Sequence, residues 1–143
     1  MGCFEAYVHA WKKAFVFHGR ARRKEYWCFG ILTVVVMLVL LLVNYSLLDA
    51  SLVDSANTLN ESLGVGLLAA VYAIANIAPS LSISIRRLHD MNWSGLWYLG
   101  AFVPILNIIL ALALMFADGT PGDNRFGPDP KGRQAVYGGG HAN

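Results

Sequence analysis

The sequence predicts an all-α membrane protein: an N-terminal amphipathic interfacial helix, three transmembrane helices and a Gly/Pro-rich C-terminal loop. Three observations lead there. Hydrophobic residues make up 56% of the chain and charged residues 14%, where a soluble domain carries roughly 25% charge. Residues 26–48, 62–85 and 91–117 contain no Asp, Glu, Lys or Arg, and each is longer than the roughly 20 apolar residues that cross a bilayer. The charges that remain are distributed unevenly around those stretches. Spans are expected at about residues 26–48, 63–85 and 96–117 of a single domain, residues 1–133, followed by a disordered tail, residues 134–143.

Residues 4–17 have the pattern of an amphipathic helix. Phe4, Tyr7, Val8, Trp11 and Phe15 recur at spacings of three and four, with Lys12 and Lys13 beside them. Such a helix lies in the headgroup layer or packs on the chain's own spans, and both readings stay open. His18-Gly19 breaks the pattern, and a charged turn leads into Tyr26-Trp27 at headgroup level. The first span is rich in Val, Leu and Ile.

The second span is rich in small residues. Gly66 with Ala70 lie four apart, a spacing that lets helix backbones approach closely. Asn76, Pro79, Ser80, Ser82 and Ser84 make its second half polar, and Pro79 should kink it. Pro104 and Asn107 interrupt the third span. A kinked single crossing is expected there, because each arm of a hairpin turning at these residues has too few residues to cross. From Asp118 onward Gly and Pro dominate, which predicts ordered turns. Asp118, Asp123 and Asp129 are expected to pair with Arg125 in that loop; they lack the alternating acids and closing Glu of a calcium loop.

Six cations (Lys12, Lys13, Arg20, Arg22, Arg23 and Lys24) precede the first span, whereas residues 49–61 carry three acids and no cation. Positive flanks stay cytoplasmic, so the N-terminus is expected inside and the first loop outside. Cys3 and Cys28 then fall on the reducing side, where a structural disulfide between them is not expected.

Three blocks in order carry a family resemblance. They are residues 17–27 (FHGRARRKEYW), residues 86–90 (RRLHD) with 93–97 (WSGLW), and residues 119–130 (GTPGDNRFGPDP). With the spans between them the chain, over about residues 5–131, resembles the bacterial inner-membrane family called domain of unknown function 805. The resemblance implies a multi-pass protein of the bacterial plasma membrane and no particular reaction. At the position before Trp93 glycine or another turn former is expected; Asn92 also suits a turn.

The first two blocks should meet at the cytoplasmic surface, bringing Arg20, Arg22, Arg23 and Glu25 near Arg86, Arg87, His89 and Asp90. Guanidinium groups bind phosphate through paired donors, so anionic lipid headgroups are the expected partners. The competing reading is an internal network in which Glu25 and Asp90 fasten arginines. His89-Asp90 has the residue types of a general base and its carboxylate, but neighbours on a helix point apart and no nucleophile accompanies them. No catalytic residue, metal site, cofactor or nucleic-acid partner is expected. The expected function is non-enzymatic binding of headgroups or of membrane partners, including a second copy of the chain. The alternative is a small oligomeric channel or transporter subunit, with Asn76 and Asn107 in its path.

Overall fold

A computed structural model describes residues 2–51 and 56–133. The described residues form five α-helices and one 3₁₀ segment. α1 is Cys3–Lys12, α2 is Arg23–Ser51, α3 is Ala56–Ala75 and α4 is Ile77–Asp90. The 3₁₀ segment Gly95–Phe102 and then α5, Pro104–Phe116, follow. Residues 134–143, expected as a disordered tail, and the side chains of the acidic loop lie outside the described residues.

Two helical stretches, Arg23–Leu47 and Leu63–Asp90, are long and apolar enough to cross a membrane. On α2 the large side chains Ile31, Val34, Leu38 and Leu42 are all exposed. An apolar surface of that extent suits lipid contact. α3 and α4 are one span broken at Asn76. Pro79 lacks the N–H that would reach the carbonyl of residue 75, four positions back, so the helix interrupts where the sequence places its kink. Asn76 is buried; its Oδ1 accepts from Thr33 Oγ1 at 3.4 Å and its Nδ2 donates to the Tyr72 carbonyl at 3.4 Å. α3 lies close along α2. A Cβ on Gly66 would sit 3.2 Å from Asn44 Nδ2, and Ala69 is buried, whereas Ala70 faces outward.

α1 packs on the spans. Its buried stripe is Ala6 and Ala10, small residues that let the backbones approach, with Tyr7 and Trp11 packed against Phe29 and Ile83. The Tyr7 hydroxyl bonds that of Tyr72 at 2.9 Å; burial and this bond push the Tyr7 pKa up to about 12. Phe4 and Phe15 point away from this core. The close approach also brings Cys3 to Cys28 with Cα atoms 4.9 Å apart, and the two are joined by a disulfide. The expectation of two separate thiols is thereby corrected, because it rested on compartment and not on where α1 lies.

The third apolar stretch is not a kinked crossing. Residues 95–102 run out as 3₁₀ helix, Val103 is extended, Pro104 opens α5 at its first turn, and α5 returns. Tyr98 packs against the cluster of Leu88, Met91, Leu110 and Leu114, so both arms lie against the end of α4. The Thr120 N–H bonds the Asp90 carbonyl at 2.9 Å, which brings the chain back to the level from which it left. The 13 residues of α5 span roughly 20 Å, too short for a hydrocarbon core of roughly 30 Å. Pro104 therefore marks a hairpin turn, and Asn107 sits exposed in the first turns of α5.

Asn92 has φ of 61°, the left-handed region that glycine occupies most easily. It lets the chain leave α4 and start the hairpin. Cysteine labels placed at Lys24 and Pro121, in a background lacking Cys3 and Cys28, are expected to react from the same side of the membrane. Reaction from opposite sides would restore the single crossing.

Candidate functional site

Where α2 begins, α4 ends and α5 ends, the polar residues of the chain converge. Asp90 is at the centre. Its Oδ1 accepts from Arg20 Nε and its Oδ2 from Arg87 Nη1, both at 2.9 Å. All three side chains are at most 1% exposed. Arg20 comes from the turn before α2 and spends its other donors on carbonyls, Gly122 at 2.7 Å and Thr120 at 2.6 Å. Gly119 passes so close that a Cβ there would collide with both carboxylate oxygens of Asp90.

The end of α5 is built into the same cluster. The last four carbonyls of a helix have no partner within it. Here Arg87 Nε donates to Leu114 O at 3.1 Å, Trp27 Nε1 to Met115 O at 3.0 Å, Arg23 Nη1 to Phe116 O at 3.1 Å, and Arg87 Nη2 to Ala117 O. Two of the three donor side chains are cations, which the negative end of the helix dipole favours.

The remaining candidates are placed differently. Arg86 is 2% exposed, and its Nε and Nη2 have no hydrogen-bond partner among the described residues. Glu25 is the acid whose charge reaches it. His9 Nδ1 lies 3.9 Å from Glu25, but burial, then Lys13, Arg86 and Lys12, lower the His9 pKa, so the ring is neutral at pH 7 and makes no ion pair. His89 stacks flat on Phe126 at 3.9 Å, with Nδ1 3.2 Å from the Gly19 carbonyl. Arg22 is exposed.

The sequence reading missed the partners of the loop acids. Arg125 does not pair with them; it lies over the Phe126 ring at 4.6 Å and donates to Asn92 O at 3.1 Å. Asp118 faces Arg23 at 3.3 Å, Arg133 at 3.5 Å and Lys131. Asp129 accepts from Arg133 Nε at 2.8 Å and lies 3.8 Å from Arg20. Burial raises the Asp129 pKa, but bonds from Arg133 and from the N–H groups of Lys131 and Gly122 outweigh it and hold the carboxyl at about 2. Asn124 joins the loop to α4 by donating to His89 O at 2.9 Å. The only sequence signal for these contacts was the third motif block itself.

The arrangement fastens the elements to one another: Asp90 has both oxygens engaged by arginines, and the His89 ring is stacked on Phe126. Comparison with known proteins agrees with the blocks. The family model described as "Protein of unknown function (DUF805)" matches residues 14–128. "Inner membrane protein YhaH" of Escherichia coli is 35% identical over 125 residues, covering 87% of this chain and 95% of the relative. "Inner membrane protein YhaI" of the same organism is 36% identical over 127 residues, covering 87% and 94%. No solved structure matches the chain. The chain belongs to this family.

Two outcomes follow from the cluster. Asp90→Ala leaves two buried guanidinium groups without their carboxylate and is expected to cost about 3–5 kcal/mol. Gly119→Ala should cost about 1–3 kcal/mol by forcing Asp90 aside. Unfolding in detergent micelles measures both. Asp129, whose pKa is depressed from 3.8 to about 2, stabilises the loop while ionised, so its contribution is full above about pH 4 and is lost as pH falls toward 2. Amide NMR shifts of Gly122 and Lys131 should move through that window, and no movement there would contradict the clamp.

Proposed function

We propose that this family member is a non-enzymatic protein of the bacterial inner membrane, with its N-terminus cytoplasmic, that gathers anionic phospholipid headgroups at its basic end. One observation carries the reading. The cations of that end are sorted into two sets: the side chains of Arg20, Arg86 and Arg87 are buried inside the fold, whereas Lys12, Arg22 and Lys24 are exposed and their side chains make no hydrogen bond or ion pair among the described residues. The internal network and the headgroup surface, read from sequence as competitors, then use different residues.

The inner-membrane relatives support the location. The surplus of Lys and Arg before α2 supports the orientation. The Cys3–Cys28 bridge points the other way, since disulfides persist in oxidising compartments. The packing of α1 on α2 brings the two sulfurs together whichever side they face, and the reading of orientation rests on the six cations. The polar amides give the channel reading no support. Asn76 is bonded to Thr33 and Tyr72, and Asn107 lies on the outer surface of α5.

Each cation near an anionic surface contributes about 1 kcal/mol. In nanodiscs of phosphatidylethanolamine with a minor share of phosphatidylglycerol, native mass spectrometry should find phosphatidylglycerol enriched around the protein. The triple variant Lys12→Gln, Arg22→Gln, Lys24→Gln should return the bound lipid to the supplied composition. Equal enrichment in both proteins, or none in the parent, would remove the proposal.

A further inference from the structure

We propose that the groove between α2 and the α4–α5 pair seats one anionic phospholipid, its acyl chain lying along Gly30 and its phosphate at the cations around Asp118. The proposal takes the membrane setting from the preceding reading but rests on other residues.

The groove has a volume of about 510 Å³ and is lined by Tyr26, Trp27, Gly30, Val34, Ile83 and Met115, among others. That volume lies within the roughly 300–1,000 Å³ of sites that hold a small molecule. Two features open it. α5 touches α2 near its own C-terminus, where Trp27 meets Phe116 at 5.9 Å and bonds Met115 O. Gly30 then removes a side chain from the α2 wall; nothing lies within 4 Å of the place its Cβ would take. The space is apolar, inside the span, and open to the hydrocarbon side through exposed Ile31 and Val34.

The mouth of the groove carries the complementary charge. Arg23, Trp27, Gly30 and Val34 follow at steps of four, three and four, so they share one face of α2 with Arg23 at its basic end. Above Met115, the single carboxylate of Asp118 faces Arg23, Lys131 and Arg133, with all four side chains between 28% and 50% exposed. Asp129 engages Arg133 but also faces Arg20. Positive charge is left over, and it is accessible. Arg23 uses Nη1 on Phe116 O and Nη2 on Asp118, and the guanidinium fork has further donors for a phosphate oxygen. A transmembrane helix from another chain would fill the apolar part but would not answer the cations at the rim. A phospholipid answers both.

The test uses the full chain in nanodiscs of phosphatidylethanolamine with a minor share of phosphatidylglycerol, released for native mass spectrometry. The parent should keep a single phosphatidylglycerol through activation that strips the other lipids. Gly30→Leu fills the groove with a better helix former and should fold to the same helical content while losing that lipid. Arg23→Gln with Lys131→Gln should keep a phospholipid but lose the preference for phosphatidylglycerol over phosphatidylethanolamine. The triple variant at Lys12, Arg22 and Lys24 should keep the retained lipid, which separates this site from the headgroup surface. A retained lipid undiminished in Gly30→Leu, no retained lipid in the parent, or a parent dimer that Gly30→Leu dissolves would each overturn the assignment.

Discussion

The carboxylate of Asp90 is the contact on which the rest of the described structure depends. It sits where α4 ends, with one guanidinium on each oxygen, and both guanidiniums continue onward to backbone carbonyls. Burying such a group is not stabilising in itself, because desolvation of the three charges offsets most of their attraction. Its effect is on specificity. Once Arg20 and Arg87 are inside, any arrangement that denies them Asp90 or the carbonyls leaves a buried charge unpaired, which costs several kcal/mol. The loop must therefore pass with a glycine at position 119, since any side chain would occupy the place of the carboxylate.

The same constraint explains why an apolar stretch of spanning length does not span. The C-terminal carbonyls of α5 need donors, and the donors are Arg23, Trp27 and Arg87 at the basic end. A single crossing would carry those carbonyls to the far side and strip four bonds from the cluster. Val103 and Pro104 make the return possible. The extended residue ends the 3₁₀ arm, and proline at the start of a helix has a fixed φ and no N–H to leave unsatisfied. Length and hydropathy measure how much of a segment prefers lipid; they do not say where its ends find hydrogen bonds.

The parts that could be read from the sequence were those set by local pattern. The two long spans, the break near Pro79 and the turn at Asn92 each follow from a run, a missing donor or a backbone preference within a few residues. The Arg20, Arg87 and Asp90 grouping was legible because two charged blocks flank apolar segments that should bring them to one surface. The hairpin, the Cys3–Cys28 bridge and the partners of Asp118 and Asp129 were not. Each depends on distances between elements far apart in the chain, such as the 4.9 Å approach of α1 to α2 that alanines at positions 6 and 10 allow. Arg125 misled because it is the cation nearest to Asp123 in sequence, while its guanidinium finds the Phe126 ring and the Asn92 carbonyl.

The three sequence blocks that mark the family are three sides of one contact. Arg20 belongs to the first, Arg87 and Asp90 to the second, and Gly119, Thr120, Gly122 and Asn124 to the third. A signature built from residues that fasten a fold identifies the architecture and leaves the ligand open, since Arg20, Arg87 and Asp90 spend their donors and acceptors on one another and on the backbone. What such a protein binds must then be decided by groups the fastening does not consume. Under the proposed reading those are the exposed cations around its rim and the apolar wall that Gly30 opens between α2 and α5; Lys12, Gly30 and Lys131 lie outside the three blocks, so relatives can differ at them without differing in the fastening.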